Sequence, residues 1–304
     1  MARTNVDIND KLIKEGLNLT HMKTKKELVN YALEELIKKI KRKRILKFEG
    51  TIAWIVRNTT LTILFFLALA SLSSASEVLV SAASDLTGAF KEIGEMYEKD
   101  TGNRVIFNFG STGILAQQIE GGAPIDLFAA ANKRYVDDLE RKGLIIPETK
   151  RVYAIGRIVL ASPKGGAKLN SVEELTRPEI KRIAIANPSH APYGMAAKEA
   201  MEKTGVWNKV KDKVVYAENI RQAMQYLETG NVDAAILALS VTIGSDINYT
   251  PIPQDLYSPI EQTLAVIKGG KNEKKGRELA EFINGPKGRA VMDRYGFGLP
   301  SEGK

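Results

Sequence analysis

From Glu77 onward the hydrophobic positions of this chain fall into short solid runs that alternate with stretches at helical spacing. Val78, Leu79 and Val80 form the first run, and Ala89, Phe90, Ile93 and Met96 then mark one face of a helix. Residues 105–109, 126–129, 183–185, 234–237 and 263–268 predict further strands. Helices are expected from near Ile114, Lys133, Tyr193 and Ile220, with a last one over residues 274–283. Residues 151–161 cross into a second series of strand–helix units. Strands alternating with helices in this way predict an α/β fold with mainly parallel sheets. No internal repeat and no low-complexity tract interrupts the pattern.

The first part of the chain reads differently. Residues 3–8 alternate polar and apolar, which predicts a short strand with Val6 and Ile8 on one face. Asn9 or Asp10 can cap a helix running to about Leu19. Thr24 and Glu27 have the spacing of a capping box, each satisfying a backbone donor of the other. Leu28, Val29, Ala32, Leu33, Leu36, Ile37 and Ile40 continue that second helix. A strand and two helices in about 40 residues bury too little apolar surface alone, so an obligate dimer is expected.

Between these parts lies an uncharged stretch, residues 58–76, NTTLTILFFLALASLSSAS. Arg57 precedes it, residues 61–72 form a run that is apolar apart from Thr62 and Ser71, and Ser73, Ser74 and Ala75 supply small side chains. That layout is a secretory signal or an uncleaved anchor. As a helix of about 18 residues it would span ~27 Å, marginal for a hydrocarbon core.

Charge sharpens the division. The chain carries 44 Lys+Arg against 36 Asp+Glu, and residues 1–57 hold 14 against 7 of them. Residues 77–304 are therefore nearly balanced, and the basic character belongs to the first part, a candidate for nucleic acid or an anionic membrane face. The chain has no Cys, which excludes disulfides and thiolate metal sites.

Candidate chemistry gathers where helices begin. Four predicted helices follow small or hydroxyl-bearing turns: Ser84; Ser111, Thr112 and Gly113; Ala191 to Gly194; and Asn219 with Ile220. A helix N-terminus presents unpaired N–H groups and the positive end of its dipole, and Ser and Thr add hydroxyl donors. No Lys or Arg lies in these turns, and His190 stands beside one of them. Such a site holds a small oxyanion by neutral donors. Catalysis finds no support: His21 and His190 are the two histidines, and no zincin, nucleophile-elbow or P-loop motif is present.

RTNVDINDKLIKEGLNLTHMKTKKELVNYALEEL resembles ribbon-helix-helix antitoxins of the VapB type, and the similarity runs on through LKFEGTIAW. The resemblance implies a strand-paired dimer reading DNA with Arg3, Asn5 and Asp7; the toxin-binding tail expected next is replaced by the apolar stretch. VLVSAASDLTGAF, FNFGSTGILAQQIEGGAPIDLFAAAN, IAIANPSHAPYGMAAKEAM, AENIRQAM and RYGFGLP together resemble ModA, the molybdate-binding proteins of ABC importers. That resemblance implies a two-lobed type II periplasmic-binding-protein fold over residues 77–304. One lobe would take about residues 77–153 and 264–304, the other about residues 154–263. Residues 1–50 would be the ribbon-helix-helix module and residues 51–76 the signal or anchor helix.

Carried over from the ModA resemblance, Ser84 and Thr112 give hydroxyls to the ligand, with Ser111 beside them. Asp85 gives its N–H with its side chain turned away, and Tyr193 and Ile220 give backbone N–H groups. The Tyr193 phenol should then matter little. Ala238 stands where some members carry a ligand-binding Tyr. The metal is held as molybdate or tungstate, not as a bare cation, and no cofactor is expected. The implied partners are an importer permease, the oxyanion, and the membrane through the signal or anchor, with the protein outside the cytoplasmic membrane. The rival reading is a DNA-binding regulator or antitoxin, cytoplasmic or tethered to the membrane. A third is an artefactual join of two genes, since translation from near Val56 would give an ordinary signal directly ahead of the binding part.

Overall fold

The computed structural model describes residues 9–46 and 76–300, which belong to two compact units. In the first, helices span Asp10–Thr20 and Lys25–Leu46. The Asn9 side chain accepts from the Lys11 N–H at 2.9 Å, and His21, in the left-handed region at φ 55°, ends the first helix. The capping box forms as expected. Glu27 N–H donates to Thr24 Oγ1 and Thr24 N–H to the Glu27 carboxylate, both at 3.2 Å. Ile13 and Leu28 are buried between the helices, whereas Leu12, Leu19, Leu33, Leu36, Ile37 and Ile40 are 48–76% exposed. The helix pair thus covers only part of its apolar surface. The expected strand with Arg3, Asn5 and Asp7, and residues 58–75 of the apolar stretch, lie outside the described residues. Among the described residues no helix is long and apolar enough to cross a membrane.

The second unit is built on ten strands among the described residues: β1 (Glu77–Ala83), β2 (Arg104–Gly110), β3 (Leu127–Ala130), β4 (Arg151–Gly156), β5 (Ile158–Pro163), β6 (Ile183–Ala186), β7 (Val214–Ala217), β8 (Ala234–Ala238), β9 (Ile247–Pro251) and β10 (Ile260–Val266). They form two five-stranded sheets, ordered β2-β1-β3-β10-β4 and β7-β6-β8-β5-β9. One strand order serves both sheets although the sequence shows no repeat. The expectation of mainly parallel sheets needs correction. β1 pairs in parallel with β2 and β3, and β6 with β7 and β8, but β10 and β5 run antiparallel to both of their neighbours. The reason is the chain path. It leaves the first sheet through β4, enters the second as β5 after the single residue Arg157, and returns as β10. Each crossing strand reaches its new sheet from the opposite end.

Two edge strands, a last long helix and the four-residue helices Trp207–Val210 and Leu239–Thr242 were not predicted. β7 and β9 are mostly half-buried and lack the solid apolar runs of β6 and β8. The last predicted helix ends near residue 283, yet Pro286 opens a further helix, Pro286–Arg294, because proline is favoured at the first helical position. The central strands are covered on both faces: Val78, Val80, Leu127, Ile183, Ile185, Ile236 and Leu237 are all buried. The chain runs from β1, β2, β6 and β7 directly into the turns that open helices. Ligands of open α/β sheets lie at the carboxyl ends of such strands.

Candidate functional site

All four predicted turns line one cavity. Its wall is formed by Ala83, Ser84 and Asp85 after β1, and by Gly110, Ser111 and Thr112 after β2. Ala131 follows β3, Ala191, Pro192 and Tyr193 open a helix of the second lobe, and Asn219 and Ile220 follow β7. The free volume of 10 Å³ is close to the roughly 10–15 Å³ that one water-sized sphere needs, so the space suits a single compact ion. No Lys, Arg or His lines it, and Asp85 is the one ionisable carboxyl in the wall.

Each turn presents its donors in its own way. Ser84 begins a 3-10 turn, Ser84–Leu86, that runs on into the helix Thr87–Thr101. Its carbonyl accepts from Thr87 Oγ1 at 2.7 Å, and its hydroxyl has no partner among the described residues. Thr112 opens the helix Thr112–Glu120, and its Oγ1 accepts from the Ala131 N–H at 3.2 Å, which leaves the hydroxyl proton free to donate. Tyr193 is the second residue of the helix Pro192–Lys203, and Ile220 the first of Ile220–Glu228. The N–H groups of Thr112, Tyr193 and Ile220 have no acceptor among the described residues. Asn219 caps its own helix by accepting from Gln222 N–H at 3.1 Å. The other three turns carry no side-chain cap. Orphan donors aimed into one small cavity are what an anion requires.

Ser111 is in the wall, but its hydroxyl turns to the other lobe. It lies 2.8 Å from His190 Nδ1 and 2.9 Å from the His190 carbonyl. One hydroxyl carries one proton, so donation to the carbonyl makes Nδ1–H the donor to Oγ. Gly113 N–H also donates to that carbonyl at 2.9 Å, and a Cβ on Gly113 would stand 2.8 Å from it. His190 is thus part of the seam between the lobes.

The Asp85 side chain also reaches across. Its Oδ2 accepts from the Tyr193 phenol at 2.9 Å and from Gln262 Nε2 at 2.7 Å, while Gln262 Nε2 lies 3.0 Å from the same phenol. Ser240 Oγ donates to the Asp85 carbonyl at 2.9 Å. Burial pushes the carboxyl up to about 7, even against the hydrogen bonds that favour its charge. Burial first, and then the neighbouring Asp85 charge, hold the Tyr193 and Tyr153 phenols well above their usual range. The Tyr193 phenol, expected to matter little, is thus hydrogen-bonded to the opposite lobe. Gln262 had escaped notice. The signal for it was a fully buried amide in the apolar strand β10. Ala238 ends β8 outside the cavity wall and offers no phenol there.

Residues 78–298 match the family described as bacterial extracellular solute-binding proteins. The chain belongs to that family. Within it, the binding unit is of the ModA type. It is 37% identical over 238 residues to the molybdate-binding protein ModA of Azotobacter vinelandii, covering 76% of this chain and 93% of that one. A putative ABC transporter substrate-binding lipoprotein, YvgL of Bacillus subtilis, is 35% identical over 222 residues, covering 72% and 85%. The solved structure of the Azotobacter vinelandii periplasmic molybdate-binding protein superposes with a TM-score of 0.70 at 26% identity, over 74% of this chain and all of that one. Residues 2–48 match a second family, VapB antitoxins of bacterial type II toxin–antitoxin systems. Other solute-binding folds, such as the sulfate-binding protein SubI of Mycobacterium tuberculosis at 17% identity and a TM-score of 0.65, share the fold alone.

Proposed function

We propose that this chain captures molybdate or tungstate outside the cytoplasmic membrane and hands it to the permease of an ABC importer. The observation that carries the reading is the convergence of four helix-opening turns on one small cavity without a lining cation. Ser84 and Thr112 give hydroxyl donors, and Thr112, Tyr193 and Ile220 give backbone N–H groups. The Asp85 and Ser111 turns complete the wall, with the Asp85 carboxyl and the Ser111 hydroxyl drawn off to the other lobe. The relatives named above, binding proteins by name, support a non-catalytic role and an extracytoplasmic site. Calorimetry on the full-length chain tests this. Molybdate and tungstate, tetrahedral dianions of nearly one size, should bind alike. Sulfate, with its shorter S–O bonds, should bind more weakly by the worth of about one hydrogen bond to a charged group, roughly 10- to 150-fold in affinity. Sulfate binding as tight as molybdate would refute the assignment.

A second reading concerns residues 1–50. The match to VapB antitoxins and the exposed apolar row Leu33, Leu36, Ile37 and Ile40 favour a ribbon-helix-helix dimer that binds DNA. Joined to an oxyanion-binding unit through an uncleaved anchor, such a module would make a tethered sensor. Cleavage near Ala75 or Ser76 would instead release the binding unit alone, which is the outcome the small residues there favour.

A further inference from the structure

We propose that Asp85 and Tyr193 form a latch that holds the two lobes closed over the bound ion, with Asp85 as its positioning residue. The phenol of Tyr193 leaves the second lobe and ends among first-lobe groups: Asp85 on the β1 turn, Gln262 on β10 and Gly156 at the end of β4. Gly156 is part of the seat, because a Cβ there would collide with the phenol oxygen. The bonds join groups of different lobes, so the contact exists only while the lobes are together. Tyr193 also carries one of the backbone donors that face the cavity. Holding its phenol therefore fixes the opening turn of the helix Pro192–Lys203 against the ion.

The latch also couples closure to a proton. The groups that face Asp85 are Tyr193 from that helix, Gln262 from β10, Tyr153 from β4 and Ser240 at its carbonyl; no Lys, Arg or His compensates its charge. Gln262 Oε1 and the Tyr153 hydroxyl are buried without partners, so the cluster can accept one more donor. With the lobes apart, Asp85 meets water and titrates near the ordinary value of about 4. Closed, it titrates near 7. A carboxyl whose pKa rises on closure takes up a proton as the lobes meet. Closure is therefore favoured at low pH, and the advantage is lost as pH rises through about 7. A dianion in the cavity pushes in the same direction.

The test has two arms, because only the second rests on the cavity being an oxyanion site. In the first, spin labels at Lys99→Cys and Lys209→Cys, in a chain with no native Cys, report the distance between lobes without ligand. The closed population should be larger at pH 6 than at pH 8, and at pH 6 smaller in Asp85→Ala and Tyr193→Phe than in the wild type. Identical distributions in all three proteins overturn the latch. In the second arm, stopped-flow with molybdate should show release faster by roughly 10- to 100-fold in both variants, with association little changed. Asp85→Asn keeps the shape and removes the titration. Its affinity should be flat with pH, whereas the wild type should weaken by up to about tenfold per unit between pH 5 and 7. A shared pH profile overturns the proton coupling. Wild-type chain that closes as described yet ignores molybdate would sink the ligand assignment and leave the latch standing.

Discussion

Ser84 and Thr112 occupy equivalent turns on neighbouring strands, yet their hydroxyls stand in different positions, and the difference can be measured. Replacing Ser84 by Ala removes a hydroxyl that has no partner among the described residues, so the ligand-free protein should be as stable as before. Affinity for molybdate should fall by the worth of one hydrogen bond to a charged group, about 1.5–3 kcal/mol, or roughly 10- to 150-fold. Thr112→Val does two things. It removes a ligand donor of the same worth, and it takes the acceptor from the Ala131 N–H in a position only 1% exposed. An orphaned buried N–H costs about 1–3 kcal/mol. For a unit of this size the ligand-free melting temperature should fall by roughly 2–4 °C per kcal/mol. Thr112→Ser restores both bonds. Calorimetry with molybdate and thermal unfolding without it, run on the same three variants, separate the two effects. The reasoning is refuted if Ser84→Ala binds like the wild type, or if Thr112→Val loses affinity with no loss of ligand-free stability.

Two further outcomes concern the first part of the chain. Leu36→Glu, placed in the exposed row of the second helix, should convert a dimer of the full-length chain to monomer in sedimentation equilibrium; a monomeric wild type would discard the dimer. In the native host, separate tags at the two ends should part company, with the binding unit exported without residues 1–57. A single full-length membrane band carrying both tags would favour the tethered sensor.

The sequence was most informative where local chemistry decides structure. The capping box at Thr24 and Glu27, the solid runs of β1, β6 and β8, and the hydroxyl-bearing turns are all set by neighbours within a few residues. The hidden features depend on distant partners. Strand direction in β5 and β10 is fixed by the path of the chain between lobes, which no window of sequence contains. The Asp85 carboxyl had been expected to turn away from an anion. It does so by binding Tyr193 and Gln262, 108 and 177 positions downstream. Ser111 reads as standing beside Thr112 at the ligand, but a carbonyl from the other lobe claims its proton. In each case residue type suggested a donor or acceptor, and the pairing came from tertiary structure.

The arrangement also explains how a site without a lining cation holds a doubly charged ion. Each helix N-terminus acts as about half a positive charge, so four give about +2, which matches a dianion. Two of these turns, at Ser84 and Thr112, belong to the first lobe, and two, at Tyr193 and Ile220, to the second. Either lobe alone supplies about +1 and leaves half of the ion to water. Full neutralisation needs closure, so the ion itself draws the lobes together, and the contacts that form only in the closed state set how long it stays. Those contacts are the Asp85–Tyr193 bond and the Ser111 and Gly113 bonds to His190. A lysine in the wall would bind the ion with the lobes still open, and would remove the dependence of capture on closure that a permease can read.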